Sequence, residues 1–171
     1  FKGEKAGFTY SRTANPTTAA FAKRIAILEG GEAAVATSTG MAAINAALLT
    51  FLSASDHLIC SRSLFGTTMG LLNNHIARFG IEISFVSQTD LDEWRAAVRP
   101  NTKMLFLETP SNPLNEVADL EQLADIAHQA GALLVVDNSF LTPILQQPLK
   151  FGADLSVHSA TKAIDGQGRV Q

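Results

Sequence analysis

The feature that most constrains the fold is a continuous apolar stretch at residues 132–136, which ends abruptly at Asp137 and Asn138. A strand with one solvated face alternates apolar and polar residues, whereas a continuous apolar run is typical of a parallel strand covered on both faces. Just before it, residues 120–130 carry apolar side chains at helical spacing, and Gly131 ends that segment. These residues predict a helix followed by a buried strand, as in an α/β protein.

The same alternation of helices and strands runs along the whole chain. The predicted strands occupy residues 33–36, 57–61, 81–85, 103–107, 132–136 and 155–158. The predicted helices occupy residues 16–29, 41–52, 67–79 and 120–130, with a further helix that starts at a capping box of Thr89 with Asp92 and ends at Pro100. This order predicts an α/β fold with a mostly parallel, doubly wound sheet.

Composition limits the size of the core and the choice of partners. The 171 residues are 46% hydrophobic, enough for one large core but too short for two comfortable domains. The net charge is -3 and no basic stripe occurs, which argues against a nucleic-acid or anionic-membrane partner. No apolar run approaches the roughly 18 residues that a membrane-spanning helix needs. Cys60 is the only cysteine, so no internal disulfide is possible, and we expect a reducing compartment such as the cytoplasm.

Polar residues gather where the predicted strands end. The pairs that follow strands are Thr39 with Gly40, Glu108 with Thr109, and Asp137 with Asn138, and Ser159, Thr161 and Lys162 follow the last strand. Because the carboxyl ends of parallel strands meet at one edge of a sheet, where ligands bind, we expect these groups to form a single site. The four histidines are scattered without metal-ligand spacing, so no metal site is expected.

Three of these groups suggest a specific chemistry. Thr39 and Gly40 lie where a helix begins, and free backbone N–H groups there suit a phosphate, although an ordinary tight turn has the same pattern. Asp137 ends a buried strand, so its carboxylate needs a partner, either an arginine or the protonated ring nitrogen of a cofactor. Lys162 alone is a surface charge or a nucleophile that can form a Schiff base. Taken together, the three groups describe a site for pyridoxal phosphate.

The same motifs, in the same order, resemble the Cys/Met-metabolism family of pyridoxal-phosphate-dependent enzymes. The resemblance covers essentially all 171 residues and implies the fold-type-I, aminotransferase-like architecture. The motifs that carry it are Tyr10-Ser11-Arg12 with Asn15-Pro16-Thr17, Thr39-Gly40-Met41, residues 108–113, Val136-Asp137-Asn138 and Ser159-Ala160-Thr161-Lys162.

The resemblance implies a role for each matching position. Lys162 would form the Schiff base with the cofactor and later shuttle protons, and Asp137 would keep the pyridine nitrogen protonated. Asn112 would hydrogen-bond the phenolic oxygen of the ring, and Phe65 would stack on the ring. The phosphate would be bound by Thr39, Gly40, Met41, Ser159 and Thr161.

The N-terminal arm, residues 1–15, has no clear periodicity and carries Tyr10 and Arg12. By resemblance, these two residues reach the active site of a neighbouring subunit and hold its phosphate, a group that the guanidinium fork fits well. We therefore expect a homo-oligomer, in which dimers share active sites and assemble further into a tetramer. Residues 16–171 would form the cofactor-binding large domain, truncated before its end. The C-terminal domain, which bears the arginine for the substrate carboxylate, would be absent, so we expect this chain alone to be inactive.

One departure from the family pattern concerns the residue stacked on the ring. Many members carry tyrosine in a Leu-Tyr-Gly setting, whereas this chain has Leu64-Phe65-Gly66, without the phenolic hydroxyl. With residues 79–82 and 162–169, this variant looks most similar to the O-succinylhomoserine sulfhydrylases. That similarity implies replacement of the γ-acyloxy group of an O-acylated homoserine by sulfide, giving homocysteine.

Other functions stay open at this point. Within the family, cystathionine γ-synthase and the cystathionine or methionine γ-lyases share the same motifs. From a different class, the chain would be a truncated, non-catalytic subunit that contributes only oligomer contacts.

Overall fold

The computed structural model describes residues 7–170, and it contains a five-stranded, fully parallel sheet. The strands are β1 (His57–Ser61), β2 (Glu82–Val86), β3 (Thr102–Glu108), β4 (Leu133–Asp137) and β5 (Leu155–Val157). Their order across the sheet is β2-β1-β3-β4-β5. The helices are α1 (Pro16–Glu29), α2 (Gly40–Phe51), α3 (Gly66–Asn74), α4 (Leu91–Ala97), α5 (Leu120–Gln129) and α6 (Thr142–Leu145), with 3-10 turns at Ile76–Phe79 and Pro148–Phe151.

Helices cover both faces of this sheet, which confirms the doubly wound prediction. On one face, Trp94 of α4 and Leu123 of α5 pack against Leu105 of β3. On the other face, Leu48 of α2 packs in a cluster with Phe106 of the same strand. Successive residues of β3 thus enter opposite cores, which is why the middle positions of the central strands are apolar.

The order of the strands places a topological switch between β1 and β3. The chain passes from β1 to β2 on one side, then crosses to β3 on the other side and continues outward to β5. In sheets of this kind the crevice beyond the carboxyl ends at the switch is the usual ligand position. In addition, no helix within residues 7–170 is long and apolar enough to cross a membrane.

The strand predicted at residues 33–36 is wrong. These residues form no regular secondary structure and pair with no strand in the described part of the chain, and Val35 is 87% exposed. A cavity of about 590 Å³ is lined both by this segment and by β5. A run of small and β-branched residues is compatible with a strand, but a strand also requires a hydrogen-bonding partner.

Two of the helices have boundaries that differ from the prediction. Residues 67–79 are not one helix: α3 ends at Asn74, His75 leaves the helical conformation, and a 3-10 turn follows. The capping residue of α4 is Asp90 rather than Thr89, since its side chain accepts hydrogen bonds from the backbone N–H groups of Asp92 (3.1 Å) and Glu93 (3.2 Å). Short elements between β4 and β5, namely α6 and the second 3-10 turn, were not predicted.

Replacing Gly152 by Ala tests how closely the segment between the second 3-10 turn and β5 packs on α5. Gly152 has φ +91°, and a Cβ there would lie 2.8 Å from Cβ of Ala124. Gly131 is the matched control, since its φ is also positive (+65°) but nothing lies within 4 Å of its Cβ position. We expect Gly131→Ala to lower the free energy of unfolding by roughly 1–2 kcal/mol through backbone strain. In Gly152→Ala, the overlap with Ala124 should lower the free energy of unfolding by roughly a further 1–3 kcal/mol. Urea unfolding compares the two variants, and equal losses would contradict the close contact.

Candidate active site

A cavity of about 370 Å³ opens at the carboxyl ends of β3, β4 and β5. Nine of the eleven residues expected to bind the cofactor line it: Thr39, Gly40, Met41, Phe65, Asn112, Asp137, Ser159, Thr161 and Lys162. The folded chain therefore brings together residues that are more than 120 positions apart in the sequence. Within residues 7–170, no group of three or more His, Cys, Asp and Glu side chains could hold a metal ion.

The N-terminus of α2 forms one wall of this cavity. The side chain of Thr39 caps the helix by accepting a hydrogen bond from the backbone N–H of Ala42 (3.0 Å), and the carbonyl of Thr39 accepts from Ala43 (3.1 Å). Among the described residues, the N–H groups of Gly40 and Met41 have no acceptor. Free N–H groups at the positive end of a helix dipole attract an anion, so this wall suits a phosphate.

Close packing of Gly40 on Ser159 completes that wall. A Cβ on residue 40 would lie 2.7 Å from Cβ of Ser159 and 3.0 Å from its Cα. Only glycine leaves room for the loop after β5, which carries Ser159, Thr161 and Lys162, to approach the start of α2. The predicted phosphate ligands at residues 39–41 and those after β5 therefore line the same cavity.

Asp137 lies at the last position of β4 and lines the cavity. Its Oδ1 accepts hydrogen bonds from the backbone N–H (3.0 Å) and the hydroxyl (2.6 Å) of Ser139. Burial raises the pKa of the Asp137 carboxyl, and the Ser139 hydrogen bonds and the charge of His158 oppose that rise. No arginine within residues 7–170 pairs with it. Of the two partners expected from the sequence, the protonated ring nitrogen of a cofactor is thus the one this site can receive.

Glu108 is a site residue to which the sequence analysis assigned no role. It ends β3 directly beside Asp137 in the sheet register, and it is only 5% exposed. Its Oε2 accepts a hydrogen bond from the backbone N–H of Phe65 (2.8 Å), which holds the aromatic residue at the cavity wall. Burial, together with the charge of Asp137, raises the pKa of Glu108 to about 7, against the effects of the Phe65 N–H and Lys162. The sequence did contain a signal for Glu108, namely an acidic residue at the end of a buried strand, as for Asp137.

Ser139 was also missed, and it links the two strands that carry the central residues. Besides bonding Asp137, its hydroxyl oxygen accepts a hydrogen bond from the backbone N–H of Ser159 (2.7 Å). The turn after β4 is therefore tied to the turn that leads to Lys162. A serine two positions after an aspartate is a common turn pattern, which was the only hint in the sequence.

Tyr10 and Arg12 lie outside the cavity. Both are exposed, and the Arg12 guanidinium carbon is 5.1 Å from the centroid of the Tyr10 ring. Residues 7–14 contain turns but no helix or strand, while residues 1–6 of the expected arm lie outside the described residues. Their role in a neighbouring subunit stays a prediction.

Fold and site together define a doubly wound α/β protein with a lysine, a buried carboxylate and an anion-binding helix end around one cavity. The family described as "Cys/Met metabolism PLP-dependent enzyme" matches residues 1–171. The chain therefore belongs to the Cys/Met-metabolism family of pyridoxal-phosphate-dependent enzymes, as the sequence motifs indicated.

Individual relatives within this family have different names. The chain is 56% identical, over 99% of its length, to O-succinylhomoserine sulfhydrylase from Pseudomonas aeruginosa, and 49% identical, also over 99%, to L-methionine gamma-lyase from Fusobacterium nucleatum subsp. polymorphum. A crystal structure of cystathionine gamma-lyase from Lactobacillus plantarum, complexed with L-serine, superposes on 99% of the chain with a TM-score of 0.95 at 38% identity. The chain spans 42%, 43% and 44% of these three proteins, respectively.

The residues present fit pyridoxal phosphate. The free N–H groups of Gly40 and Met41 suit its phosphate, and Asp137 has an oxygen, Oδ2, without a hydrogen-bond donor among the described residues. Lys162 and Phe65 line the same cavity. Each feature answers a different part of the cofactor: the phosphate, the ring nitrogen, the aldehyde and the ring face.

Replacing Gly40 by Ala tests the phosphate wall. The added Cβ would overlap Ser159, so the loop after β5 must move away from α2. We expect the dissociation constant for pyridoxal phosphate to rise about tenfold or more. Gly66→Ala is the matched control: Gly66 is likewise the first residue of a helix, but nothing lies within 4 Å of its Cβ position. Absorbance titration of the apoprotein measures both constants, and equal affinities in the two variants would contradict the role of this contact.

Replacing Glu108 by Gln tests its raised pKa. Because the folded-state pKa is about 7 instead of 4.5, folding disfavours the ionised carboxylate. The resulting loss in the free energy of unfolding is absent below pH 4.5 and grows between pH 4.5 and 7. Above pH 7 the loss stays constant at roughly 3 kcal/mol or less. We expect wild-type apoprotein to lose stability relative to Glu108→Gln as the pH rises through this window. Urea unfolding at pH 5, 6, 7 and 8 measures the difference, and parallel profiles would speak against a titrating Glu108.

Proposed function

We propose that the protein containing this chain replaces the γ-acyloxy group of an O-acylated homoserine by sulfide, with pyridoxal phosphate as cofactor, to give homocysteine. The convergence of Lys162, Asp137 and the free N–H groups of α2 on one cavity carries the cofactor part of this proposal. Similarity to the Pseudomonas aeruginosa sulfhydrylase over 99% of the chain supports the reaction. The acyl group and the sulfur donor are part of the proposal.

Each site residue has a proposed task in binding the cofactor. Lys162 holds it covalently through Nζ, and Asp137 holds a proton on its ring nitrogen. The N–H groups of Gly40 and Met41 bind the phosphate, with the Ser159 and Thr161 hydroxyls as further donors. Thr39 shapes that helix end, Asn112 binds the phenolic oxygen, and Phe65 covers the ring and excludes water from one face.

The proposed reaction moves two protons and exchanges one leaving group. Bound pyridoxal phosphate supplies an electron sink for the charge that develops on substrate carbon atoms. Lys162 Nζ takes the proton from the substrate Cα, and a second proton leaves Cβ as the acyloxy group departs from Cγ with its bonding electrons. Hydrosulfide then adds at Cγ, and protons return to Cβ and Cα. The net products are homocysteine and the free carboxylic acid.

A γ-lyase activity is the second candidate, because L-methionine gamma-lyase and cystathionine gamma-lyase are both among the relatives. Such an enzyme performs the same elimination at Cγ but releases a 2-oxo acid and ammonia without adding an acceptor. Cystathionine γ-synthase, with cysteine as the acceptor, is the remaining alternative within the family.

The assembly and location are also proposals. We propose a homo-oligomer in which Tyr10 and Arg12 of one subunit bind the phosphate in its neighbour, within a dimer that pairs into a tetramer. The exposed positions of both residues support this. We further propose a cytoplasmic location, consistent with Cys60 as the single, buried thiol.

Replacing Lys162 by Ala tests covalent attachment. Borohydride reduction of the wild-type holoenzyme should leave a pyridoxyl group on the peptide that contains Lys162, as detected by mass spectrometry. We expect Lys162→Ala to lose this modification and at least roughly a thousandfold in turnover, since it removes both the anchor and the proton carrier. Lys150→Ala is the control, because Lys150 lies on a 3-10 turn away from the cavity. A modification that persists in Lys162→Ala would overturn the assignment.

Product analysis of the full-length protein separates the candidate functions. Sulfide-dependent homocysteine formation from O-succinylhomoserine supports the sulfhydrylase. Cystathionine formation with cysteine supports the synthase, and release of 2-oxobutyrate without an acceptor supports a lyase. Absence of any covalently bound cofactor would instead favour a non-catalytic subunit.

A further inference from the structure

Glu29, the last residue of α1, is a buried carboxylate outside the cofactor cavity. It is 3% exposed, and its Oε1 accepts hydrogen bonds from Nε2 of His158, from the hydroxyl of Ser156 (2.8 Å) and from the side-chain amide of Asn138 (3.3 Å). Burial would raise the pKa of Glu29, but these hydrogen bonds and the charge of His158 outweigh it and hold the pKa below its ordinary value. Glu29 is therefore ionised at neutral pH.

The partners of Glu29 are the direct chain neighbours of cofactor-site residues. Asn138 follows Asp137 at the end of β4, and His158 precedes Ser159 at the end of β5. Glu29 thus joins the ends of two adjacent strands to the end of α1, which lies far away in the sequence. One carboxylate therefore contacts the ends of both strands.

A second connection leads from His158 to Asp137 through the backbone of Ser159 and two hydrogen bonds. From His158 the backbone continues to Ser159, whose N–H donates to the hydroxyl of Ser139 (2.7 Å), and that hydroxyl donates to Asp137 (2.6 Å). The charge of His158 also opposes the effect of burial on the pKa of Asp137. His158 is thus connected to Asp137 both by this path and by its charge.

The pair is also incompletely satisfied. Within the described residues, Oε2 of Glu29 and Nδ1 of His158 are buried and have no hydrogen-bond partner. A buried polar atom without a partner is costly, and native proteins contain few of them.

We propose that Glu29 and His158 are positioning residues, which align the ends of β4 and β5 so that Asp137 meets the ring nitrogen of pyridoxal phosphate as an ionised carboxylate. The proposal rests on the proposed role of Asp137. Neither residue touches the cofactor; both act through Asp137 and its hydrogen-bonded neighbours.

The chain offers a matched control at the opposite ends of the same two strands. Asp154 accepts hydrogen bonds from Nε2 of His128 (3.1 Å) and from the backbone N–H of Leu134 (2.7 Å). It therefore joins α5 to β4 and β5 through a histidine–carboxylate pair, as Glu29 does for α1, but far from Asp137. The Asp154 pair is more exposed than the Glu29 pair, so the two losses of stability will differ in size. If both pairs were purely structural clamps, neither Asp154→Asn nor Glu29→Gln would change the protonation of the ring nitrogen.

The test follows the cofactor nitrogen directly. The full-length protein is reconstituted with pyridoxal phosphate labelled with ¹⁵N in the ring, and the ¹⁵N chemical shift reports whether that nitrogen is protonated. We expect Glu29→Gln to move the shift toward the unprotonated value and to raise the dissociation constant for pyridoxal phosphate about tenfold. Asp154→Asn should lower the melting temperature while leaving the shift and the affinity unchanged.

Two further variants test the same proposal alongside Glu29→Gln. His158→Gln serves if Glu29→Gln does not fold, and the double variant should show no larger effect than either single variant, because the two residues act as one unit. The proposal is overturned if Glu29→Gln and His158→Gln lower only the melting temperature and leave the ¹⁵N shift as in wild type.

Asp137→Asn separates this inference from the proposed function. If that variant changes the shift and Glu29→Gln does not, the role of Asp137 stands and the positioning role fails. If wild-type protein binds no cofactor, or if Asp137→Asn leaves the shift unchanged, the proposed function of the site fails and the positioning proposal fails with it.

Discussion

Burial of both faces of the parallel sheet is the constraint on which the rest of the structure depends. Leu105 and Phe106, adjacent in β3, enter separate cores on opposite faces. Polar side chains are therefore excluded from the middle of the central strands and collect where these strands end. At the carboxyl ends, that rule places Glu108 and Asp137 next to each other. The active site is thus a consequence of how the core is covered.

The same burial gives two neighbouring carboxyl groups different surroundings. Asp137 is held by Ser139, which opposes the effect of burial on its pKa, whereas Glu108 has one backbone donor and a pKa raised to about 7. Burial raises the pKa of both carboxyl groups, but the hydrogen bonds that oppose this effect come from different donors in the two cases. The hydrogen bond to Glu108 also holds the backbone of Phe65 at the cavity wall.

Sequence patterns identified the residues of the site better than they identified its supports. Lys162, Asp137 and Gly40 were predicted because their residue types follow from the chemistry of a cofactor. Glu29 and Ser139 were not, since a glutamate at a helix end and a serine in a turn are common surface residues. Their importance arises from burial and from partners in other elements. The error at residues 33–36 has the same origin, because residue type is a local property and strand pairing is not.

By itself the sequence determined most of the segments that become helices and buried strands, and which polar residues lie at their ends. This information is local, since it depends on periodicity, capping and side-chain type within a few residues. Only the tertiary structure decided the strand order β2-β1-β3-β4-β5, the contact of Gly40 with Ser159, and the pairing of Glu29 with His158, 129 residues away. Those contacts form between distant segments, and their geometry depends on how whole helices and strands pack together.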